Sequence, residues 1–368
     1  MIRAILVDDE QPARDRLRML LSAIPDVTIV GEAEDGEEAV GLIARLNPDL
    51  VPLDIQMPGR SGFEVAAALP APRPKIIFCT AFDQYAIEAF EMHAIDYLLK
   101  PVSRARLAEA VGRVWQPLLE QRQWRSEIDG ASEVQAGLLP SVVPRMNGLD
   151  LAAICRQVLG IGGDYYDFLS LGPGRLSIAL GDVAGKGVAA ALLMAGLHAR
   201  LQSLAPIRGE NVHELLAEVN RHMCSCRGGT KYATLFYGLY DEARRTLTYT
   251  NAGHNAPILF RAASSCDPRL QRLSAGGTVL GIFPQTDYPR ETIQMASGDV
   301  LVLFTDGITE AANGHDEEFG EERLEGAVER NWRLTATEMR DRILAEVADF
   351  TAGADPRDDM TLVVAKVL

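Results

Sequence analysis

Short apolar runs alternate with stretches of helical periodicity along the first 115 residues of the chain. In residues 13–24, for example, Leu17, Leu20 and Leu21 fall on one face of a helix. The predicted strands cover residues 4–7, 28–33, 50–53, 75–80 and 97–99. Strands separated by single helices are typical of a parallel sheet covered on both faces, so we predict a doubly wound, flavodoxin-like α/β domain over residues 1–115. Pro52 removes a ladder hydrogen bond from the third strand and predicts an irregularity there.

A helical pattern then continues from Arg104 to Leu139, which predicts a helical linker over residues 116–139. Its apolar positions follow at spacings of four, three and four residues, as in part of a heptad seam: Leu107, Val111, Val114 and Leu118. Two interpretations stay open. The seam belongs either to the last helix of the first domain, followed by a solvated spacer, or to a coiled coil that forms a homodimer. Pro117 and Gly130 both interrupt the pattern.

From residue 140 onward, β-type runs follow one another with few helices between them. The predicted strands cover residues 175–182, 232–240, 246–251, 257–261, 299–305 and 360–367. Two helix pairs accompany them, at residues 187–204 with 212–223 and at residues 323–331 with 336–350. Successive strands without crossover helices favour antiparallel sheets with helices on their outer faces. We therefore predict an α+β domain, built as an α-β-β-α sandwich, over residues 140–368.

The composition agrees with two globular domains: the chain has 368 residues, of which 47% are hydrophobic and 24% charged. The longest apolar stretch, around residues 189–197, is shorter than a membrane span requires and predicts a buried helix. The N-terminus opens directly into a strand pattern without the features of a signal peptide, so we expect a cytoplasmic protein. A net charge of -15 argues against a nucleic-acid partner.

The five cysteines are scattered along the chain, which favours free thiols over disulfides: Cys79, Cys155, Cys224, Cys226 and Cys266. Cys224 and Cys226, with His222 beside them, form half of a possible zinc site, but a second half at usable spacing is missing. We favour plain structural residues near a helix end.

Charged residues of the first domain stand where its predicted strands end. Asp8 and Asp9 follow the first strand, Asp54 follows the third, and Lys100 follows the fifth. In an open parallel sheet these strand ends meet at one edge. Several carboxylates at one point are costly unless a divalent cation neutralises them, and oxygen ligands suit Mg²⁺. An aspartate beside Mg²⁺ and a lysine can attack a phosphoryl donor, because both cations offset the charge on the transferring oxygens.

Two further residues complete this pattern. Thr80 ends the fourth strand and Tyr97 lies in the fifth, so a hydroxyl can follow the phosphoryl group while an aromatic ring changes its burial. Together these residues resemble the receiver domain of two-component response regulators over essentially all of residues 1–115. The resemblance implies a sensor histidine kinase as partner and Asp54 as the phosphoacceptor. The Mg²⁺-holding residues that it implies are Asp8, Asp9 and Asp54, and the switch and phosphate-binding residues are Thr80, Tyr97 and Lys100.

Four islands that combine aspartate with glycine or a second acid lie at strand ends in the second domain: residues 162–167, 181–187, 305–310 and 357–361. Glycine lets the backbone approach a bound ion closely, and this number of oxygen ligands suits one or two Mg²⁺ or Mn²⁺ ions. Two such ions can hold a phosphate and lower the pKa of a bridging water for in-line attack on phosphorus. A single Asp-Gly pair is more commonly a hairpin turn, but four islands in order favour a metal site.

These islands resemble the type 2C metal-dependent serine/threonine phosphatases, in their bacterial sporulation and stress-response branch. The match includes residues 133–135 with 138–140, residues 184–195 and residues 251–254, and extends from about residue 133 to 367. By position, the resemblance implies that Asp182 bridges two Mn²⁺ or Mg²⁺ ions with help from the Val183 carbonyl. The catalytic residues that it implies are Asp182, Asp306 and Asp358. It also implies Asp164 in the shell of the second ion.

This sequence departs from the family pattern in several places. Asp359 stands where many relatives have Asn and is the weakest of the implied ligands. Gln157 and Val158 replace a common Pro-Ala pair, and Gly160 replaces an acid, which changes the expected substrate contacts. For His254 we favour hydrogen bonding at a strand end over acid-base catalysis.

The resemblance implies a phosphorylation-controlled protein phosphatase whose substrate is an anti-sigma-factor antagonist, so that a sigma factor is regulated by partner switching. Because all four acidic islands are intact, we favour an enzyme over its main rival, an inactive phosphatase fold that sequesters a signalling partner. A transcription factor would require a basic reading helix, which we do not find in the sequence.

Overall fold

The computed structural model describes residues 1–70, 73–82, 84–85, 89, 92, 94–225, 232–262 and 269–368, apart from the side chains of residues 115–122. The chain forms two compact units, Met1–Ser126 and Glu127–Leu368. Cys226 and Cys266 lie outside the described residues, as does part of the proposed zinc half-site. Cys79, Cys155 and Cys224 are free thiols.

The first unit contains a five-stranded parallel sheet in the order β2-β1-β3-β4-β5. Its elements are β1 (Ile2–Val7), α1 (Gln11–Ser22), β2 (Val27–Ala33), α2 (Gly36–Leu46), β3 (Leu50–Leu53), α3 (Gly62–Ala68), β4 (Lys75–Thr80), β5 (Asp96–Leu99) and the start of α4 (Arg104–Ala136). Separate apolar clusters cover the two faces of the sheet. This architecture confirms the doubly wound, flavodoxin-like prediction. Pro52 lies opposite Ile77 in an unbroken ladder between β3 and β4, so the irregularity predicted there is absent from this ladder.

The helix α4 begins in the first unit and ends in the second. Leu107, Val111 and Val114 of the heptad seam are buried in the apolar cluster of the first unit. This part of the seam therefore belongs to the receiver core, as in the simpler of the two interpretations. The side chain of Leu118 lies outside the described residues, and a homodimer through α4 stays a prediction, as do the domain boundaries.

The second unit contains two sheets with helices on their outer faces. Its elements are β6 (Leu149–Arg156), β7 (Tyr165–Ser170), β8 (Arg175–Val183), α5 (Val188–Arg208), α6 (Val212–Ser225), β9 (Ala233–Asp241), β10 (Thr246–Ala252), β11 (Ile258–Phe260), β12 (Leu270–Arg272), β13 (Gly276–Gly277), β14 (Glu291–Gln294), β15 (Val300–Phe304), α7 (Asp306–Thr309), α8 (Gly320–Asn331), α9 (Ala336–Thr351) and β16 (Met360–Val367). One sheet has the order β13-β10-β9-β8-β7, with β14 paired to β10, and the other has the order β12-β11-β15-β16-β6. All the pairings are antiparallel except that of β10 with β13.

Three apolar clusters hold these layers together. One packs α5 and α6 onto the first sheet, one fills the space between the sheets, and one packs α8 and α9 onto the second sheet. The predicted α-β-β-α sandwich is therefore confirmed. Among the described helices, α5 alone has the length and hydropathy of a membrane span, and its buried face, which includes Met194, Leu197 and Leu201, packs in the first of these clusters.

Candidate phosphoacceptor and metal centres

The acidic residues of the first unit meet at the carboxyl edge of its sheet. Lys100 Nζ lies 2.7 Å from Asp8 Oδ2 and 2.6 Å from Asp54 Oδ2. Asp8, Asp9 and Asp54 each offer one ligand oxygen within 4.8 Å of the others. Burial raises the pKa of Asp8 although the Lys100 ammonium opposes this change. The site thus concentrates negative charge that Lys100 only partly offsets, which fits a divalent cation held by oxygen ligands.

The two switch residues lie on the strands next to this edge. Thr80 is fully buried at the end of β4, and its Oγ1 accepts a hydrogen bond of 3.5 Å from the backbone N–H of Phe82. Tyr97 in β5 donates its hydroxyl hydrogen to the backbone carbonyl of Phe82. Both residues therefore contact the same short segment after β4, through which a change at the acidic pocket can reach the aromatic ring.

The acids of the second unit come together from the ends of different strands. Asp182 lies in the last two residues of β8, Asp306 begins α7 just after β15, and Asp358 precedes β16. Burial and the charges of Asp306 and Asp358 raise the pKa of Asp182 to about 7. Burial and the charge of Asp358 likewise raise the pKa of Asp306. These carboxylates therefore repel one another, and a divalent cation would relieve that repulsion.

The arrangement is more open than that of the receiver acids. Among the described residues, the receiver triplet is the one group of three whose ligand atoms lie within 4.8 Å of one another. In the second unit a lysine lies among the acids: Lys186 Nζ is 2.7 Å from Asp358 Oδ2 and 2.6 Å from the Arg357 carbonyl oxygen. Carboxylates and the nearby Val183 carbonyl form an all-oxygen donor set, which suits Mg²⁺ or Mn²⁺.

Asp164 lies deeper than the other acids. It is 1% exposed, and its Oδ2 accepts hydrogen bonds from Thr305 Oγ1 at 2.8 Å and Thr361 Oγ1 at 2.6 Å. Burial, together with the charge of Asp182, raises the pKa of Asp164 well above its ordinary value. The two threonines were not predicted from the sequence, although each stands one or two residues from an acidic residue of its island. Their hydrogen bonds hold the Asp164 carboxylate in a defined orientation.

The Asp359 carboxylate accepts hydrogen bonds from the backbone of the loop between β6 and β7. Its Oδ1 accepts a hydrogen bond of 2.9 Å from the N–H of Val158, and its Oδ2 accepts one of 3.1 Å from the N–H of Gly163. Both oxygens thus anchor the loop between β6 and β7. The role of Asp359 as a metal ligand stays a prediction.

His254 is buried at the end of β10, away from solvent. Its Nδ1 lies 2.8 Å from Thr234 Oγ1, and its backbone N–H donates a hydrogen bond of 2.7 Å to Asn251 Oδ1. Burial lowers the pKa of His254 to about 4. A neutral, buried ring in these contacts agrees with the predicted hydrogen bonding at a strand end.

Glycines allow the loops to pack directly against the acids. A Cβ on Gly163 would lie 2.6 Å from the Val183 carbonyl oxygen and 3.0 Å from Asp182 Oδ1. A Cβ on Gly162 would lie 1.7 Å from Asp359 Oδ2, and one on Gly307 would lie 2.0 Å from the Asp359 carbonyl oxygen. These two islands therefore require glycine for close approach of the backbone.

Gly163→Ala is expected to weaken Mn²⁺ binding by about 10- to 100-fold, the cost of displacing groups that orient metal ligands. The new methyl group must push the Val183 carbonyl or the Asp182 carboxylate out of place. Binding can be measured by titrating free Mn²⁺ with electron paramagnetic resonance. Gly314→Ala is the matched control, because a Cβ there meets no atom within 4 Å. Unchanged Mn²⁺ affinity in Gly163→Ala would show that these two oxygens do not bind the metal.

The comparisons with known proteins agree with this geometry. The family model described as response regulator receiver domain matches residues 4–112, and the model described as Stage II sporulation protein E (SpoIIE) matches residues 172–368. The sequence is 50% identical over 122 residues to the transcriptional regulatory protein BtsR of Salmonella typhi, covering 33% of this chain and 51% of that protein. The chain thus spans about half the length of the first curated relatives that it matches.

A longer match covers about three quarters of the chain. The chain is 32% identical over 279 residues to the phosphoserine phosphatase RsbU of Bacillus subtilis, covering 74% of this chain and 79% of that protein. Among solved structures, the SiaA-PP2C domain of Pseudomonas aeruginosa aligns with a TM-score of 0.59 at 21% identity, covering 68% of this chain and 98% of that domain, which supports the fold.

The fold and the two acidic centres define a response regulator receiver domain joined to a phosphatase domain of the type 2C class. The chain belongs to the SpoIIE family. The resemblance found in the sequence is thereby confirmed for both halves.

Proposed function

We propose that this protein is a metal-dependent phosphatase that hydrolyses phosphoserine or phosphothreonine on a partner protein under the control of its receiver domain. The observation that carries the proposal is the grouping of Asp306 and Asp358 near Asp182, where burial and these two charges raise the pKa of Asp182 to about 7. Such mutual repulsion, in an all-oxygen site, fits a catalytic metal centre. The similarity to RsbU, a protein named as a phosphoserine phosphatase, supports the same reaction class.

Each acid has a distinct part in the proposed mechanism. Asp182 would hold both of two Mn²⁺ or Mg²⁺ ions with help from the Val183 carbonyl, Asp306 and Asp358 would hold the first ion, and Asp164 would act at the second. When bound, the ions hold the phosphate and supply a hydroxide-like water for in-line attack. Thr305 and Thr361 keep Asp164 oriented, and Asp359 holds the loop that packs against Asp182. The Lys186 ammonium offsets part of the negative charge at Asp358.

The receiver domain would control the phosphatase through phosphorylation of Asp54. Asp54 would accept a phosphoryl group from a sensor histidine kinase while Asp8, Asp9 and Asp54 hold Mg²⁺. Lys100 already contacts Asp54 and is placed to pair with the added phosphoryl oxygens. Thr80 and Tyr97 would then rearrange through their shared contacts with Phe82.

A protein substrate is supported by a cavity beside the second acidic centre. The cavity has a volume of about 340 Å³ and shares Asp358, Gly307 and Lys186 with that centre, while Leu344 and Val347 form part of its lining. Residues that flank a phosphoserine can enter it when the phosphate lies among the acids. We propose an anti-sigma-factor antagonist as the substrate, with partner switching on a sigma factor as the outcome in the cytoplasm.

The deciding experiment measures hydrolysis of p-nitrophenyl phosphate with Mn²⁺, followed by release of phosphate from a phosphorylated anti-sigma-factor antagonist. We expect both reactions, and chelation of the metal should abolish both. Binding of the phosphorylated partner without any hydrolysis of either compound would instead support the inactive binding module.

A further inference from the structure

Gln135 is the one buried polar side chain in the last turn of α4. It is 4% exposed, whereas its neighbours Glu133, Val134 and Ala136 are exposed. Its side-chain amide binds both polar groups of a single backbone residue. Nε2 donates to the Gly162 carbonyl oxygen at 2.8 Å, and Oε1 accepts from the Gly162 N–H at 3.1 Å. This paired contact joins the helix end to a loop 27 residues further along the chain.

Gly162, the residue that Gln135 binds, is adjacent to Gly163, which packs against Asp182 and Val183. Gly162 packs so closely on Asp359 that a Cβ would lie 1.7 Å from its Oδ2. The adjacent Gly163 donates to that same Oδ2, and its carbonyl accepts a hydrogen bond of 3.3 Å from the Val183 N–H. A shift of Gly162 therefore moves the backbone against both Val183 and Asp182.

Other contacts place the end of α4 on this unit. Leu139 packs against the apolar clusters on both sides of the first sheet, and the Pro140 carbonyl accepts a hydrogen bond of 3.2 Å from the Tyr166 hydroxyl. These contacts fix the segment after the helix. Among the described residues, however, Gln135 alone makes a side-chain hydrogen bond from α4 to the glycine pair at the acidic centre.

We propose that Gln135 is a positioning residue, which clamps Gly162 so that Gly163, Val183 and Asp182 take the arrangement that binds the catalytic metal ions. The inference rests on the proposed function and goes beyond it, since it assigns part of the control of metal binding to the end of the helix that leaves the receiver. Glutamine suits the task because one planar amide supplies a donor and an acceptor at the spacing of a backbone N–H and C=O.

Gln135→Met is the principal test, because methionine fills a similar volume but makes neither hydrogen bond. We expect Mn²⁺ affinity, measured by electron paramagnetic resonance, to fall about 10- to 100-fold, as is usual when a group that orients metal ligands is lost. Hydrogen exchange at the Val158 and Gly163 amides should become at least about tenfold faster in the metal-free protein, because the loop is no longer clamped. Excess Mn²⁺ should restore most of the turnover of p-nitrophenyl phosphate, since the metal shifts the equilibrium back to the bound arrangement.

Two further variants define the outcome. Gln135→Glu keeps the acceptor and loses the donor, so we expect an intermediate loss of Mn²⁺ affinity. Glu133→Gln changes an exposed neighbour on the same turn and should behave as the wild type. If the wild type hydrolyses p-nitrophenyl phosphate and Gln135→Met binds Mn²⁺ within about twofold of it, the clamp is wrong, given the much larger change usual for such groups. If the wild type hydrolyses nothing, the proposed function fails, while Mn²⁺ affinity and amide exchange still decide the clamp.

Discussion

Asp182→Asn is expected to lower Mn²⁺-dependent hydrolysis of p-nitrophenyl phosphate by about 100-fold or more, because loss of a direct ligand should exceed the 10- to 100-fold cost of losing a group that only orients one. The neutral amide cannot bridge two cations. Steady-state rates at several Mn²⁺ concentrations provide the measurement. Retention of more than about a tenth of the wild-type rate would contradict the assignment of Asp182 as the bridging ligand.

The same substitution should leave the fold intact. In the wild type, burial and the charges of Asp306 and Asp358 disfavour an ionised Asp182 when no metal is bound. Removing that charge relieves repulsion, so the metal-free variant should unfold at a temperature no lower than the metal-free wild type. Stabilisation of the second unit by added Mn²⁺ should be lost, because a ligand stabilises only the state that binds it. Asp349→Asn, at an exposed position on α9, is the matched control and should retain both activity and Mn²⁺ stabilisation.

Beryllofluoride, which mimics a phosphoryl group on aspartate, is expected to raise turnover of the phosphoprotein substrate about tenfold in the wild type, which corresponds to a shift of about 1.4 kcal/mol in the active-to-inactive equilibrium. A phosphoryl group brings up to about two negative charges to Asp54. Lys100 now pairs with both Asp8 and Asp54 and would turn to the new oxygens. Thr80 and Tyr97 follow through the segment at Phe82.

The route to the phosphatase runs along α4, whose first turns are buried in the receiver core and whose last turn contains Gln135. We expect a repacked receiver core to act through this helix on the contact between Gln135 and Gly162. Asp54→Asn should show the basal rate and no response, since it cannot be modified. If beryllofluoride leaves the wild-type rate unchanged, or changes the rate of the Asn variant equally, the receiver does not control catalysis through Asp54.

The sequence by itself determined the class of both domains. Alternation of apolar runs with helical periodicity located the five receiver strands, because a strand buried on both faces needs a continuous apolar run. The strands β4 and β16 begin and end at the predicted residues. Aspartates next to glycines or other acids at strand ends revealed both acidic centres, since these are local features of the chain. Short or edge strands such as β6 and β12 were missed because their side chains are only partly buried and their pattern is weak.

Only the tertiary structure decided how the acids are held and what surrounds them. Thr305 and Thr361 reach Asp164 across 141 and 197 residues, and the sequence contains no signal for such pairs. The sequence likewise contains no signal that Asp359 anchors a loop or that Gln135 contacts Gly162. Hydrogen bonds and charge repulsion depend on separation in space, whereas periodicity reports only which face of an element is buried. The family of the protein could therefore be predicted from its residues. The hydrogen bonds that hold its acidic residues and their loops in place could not.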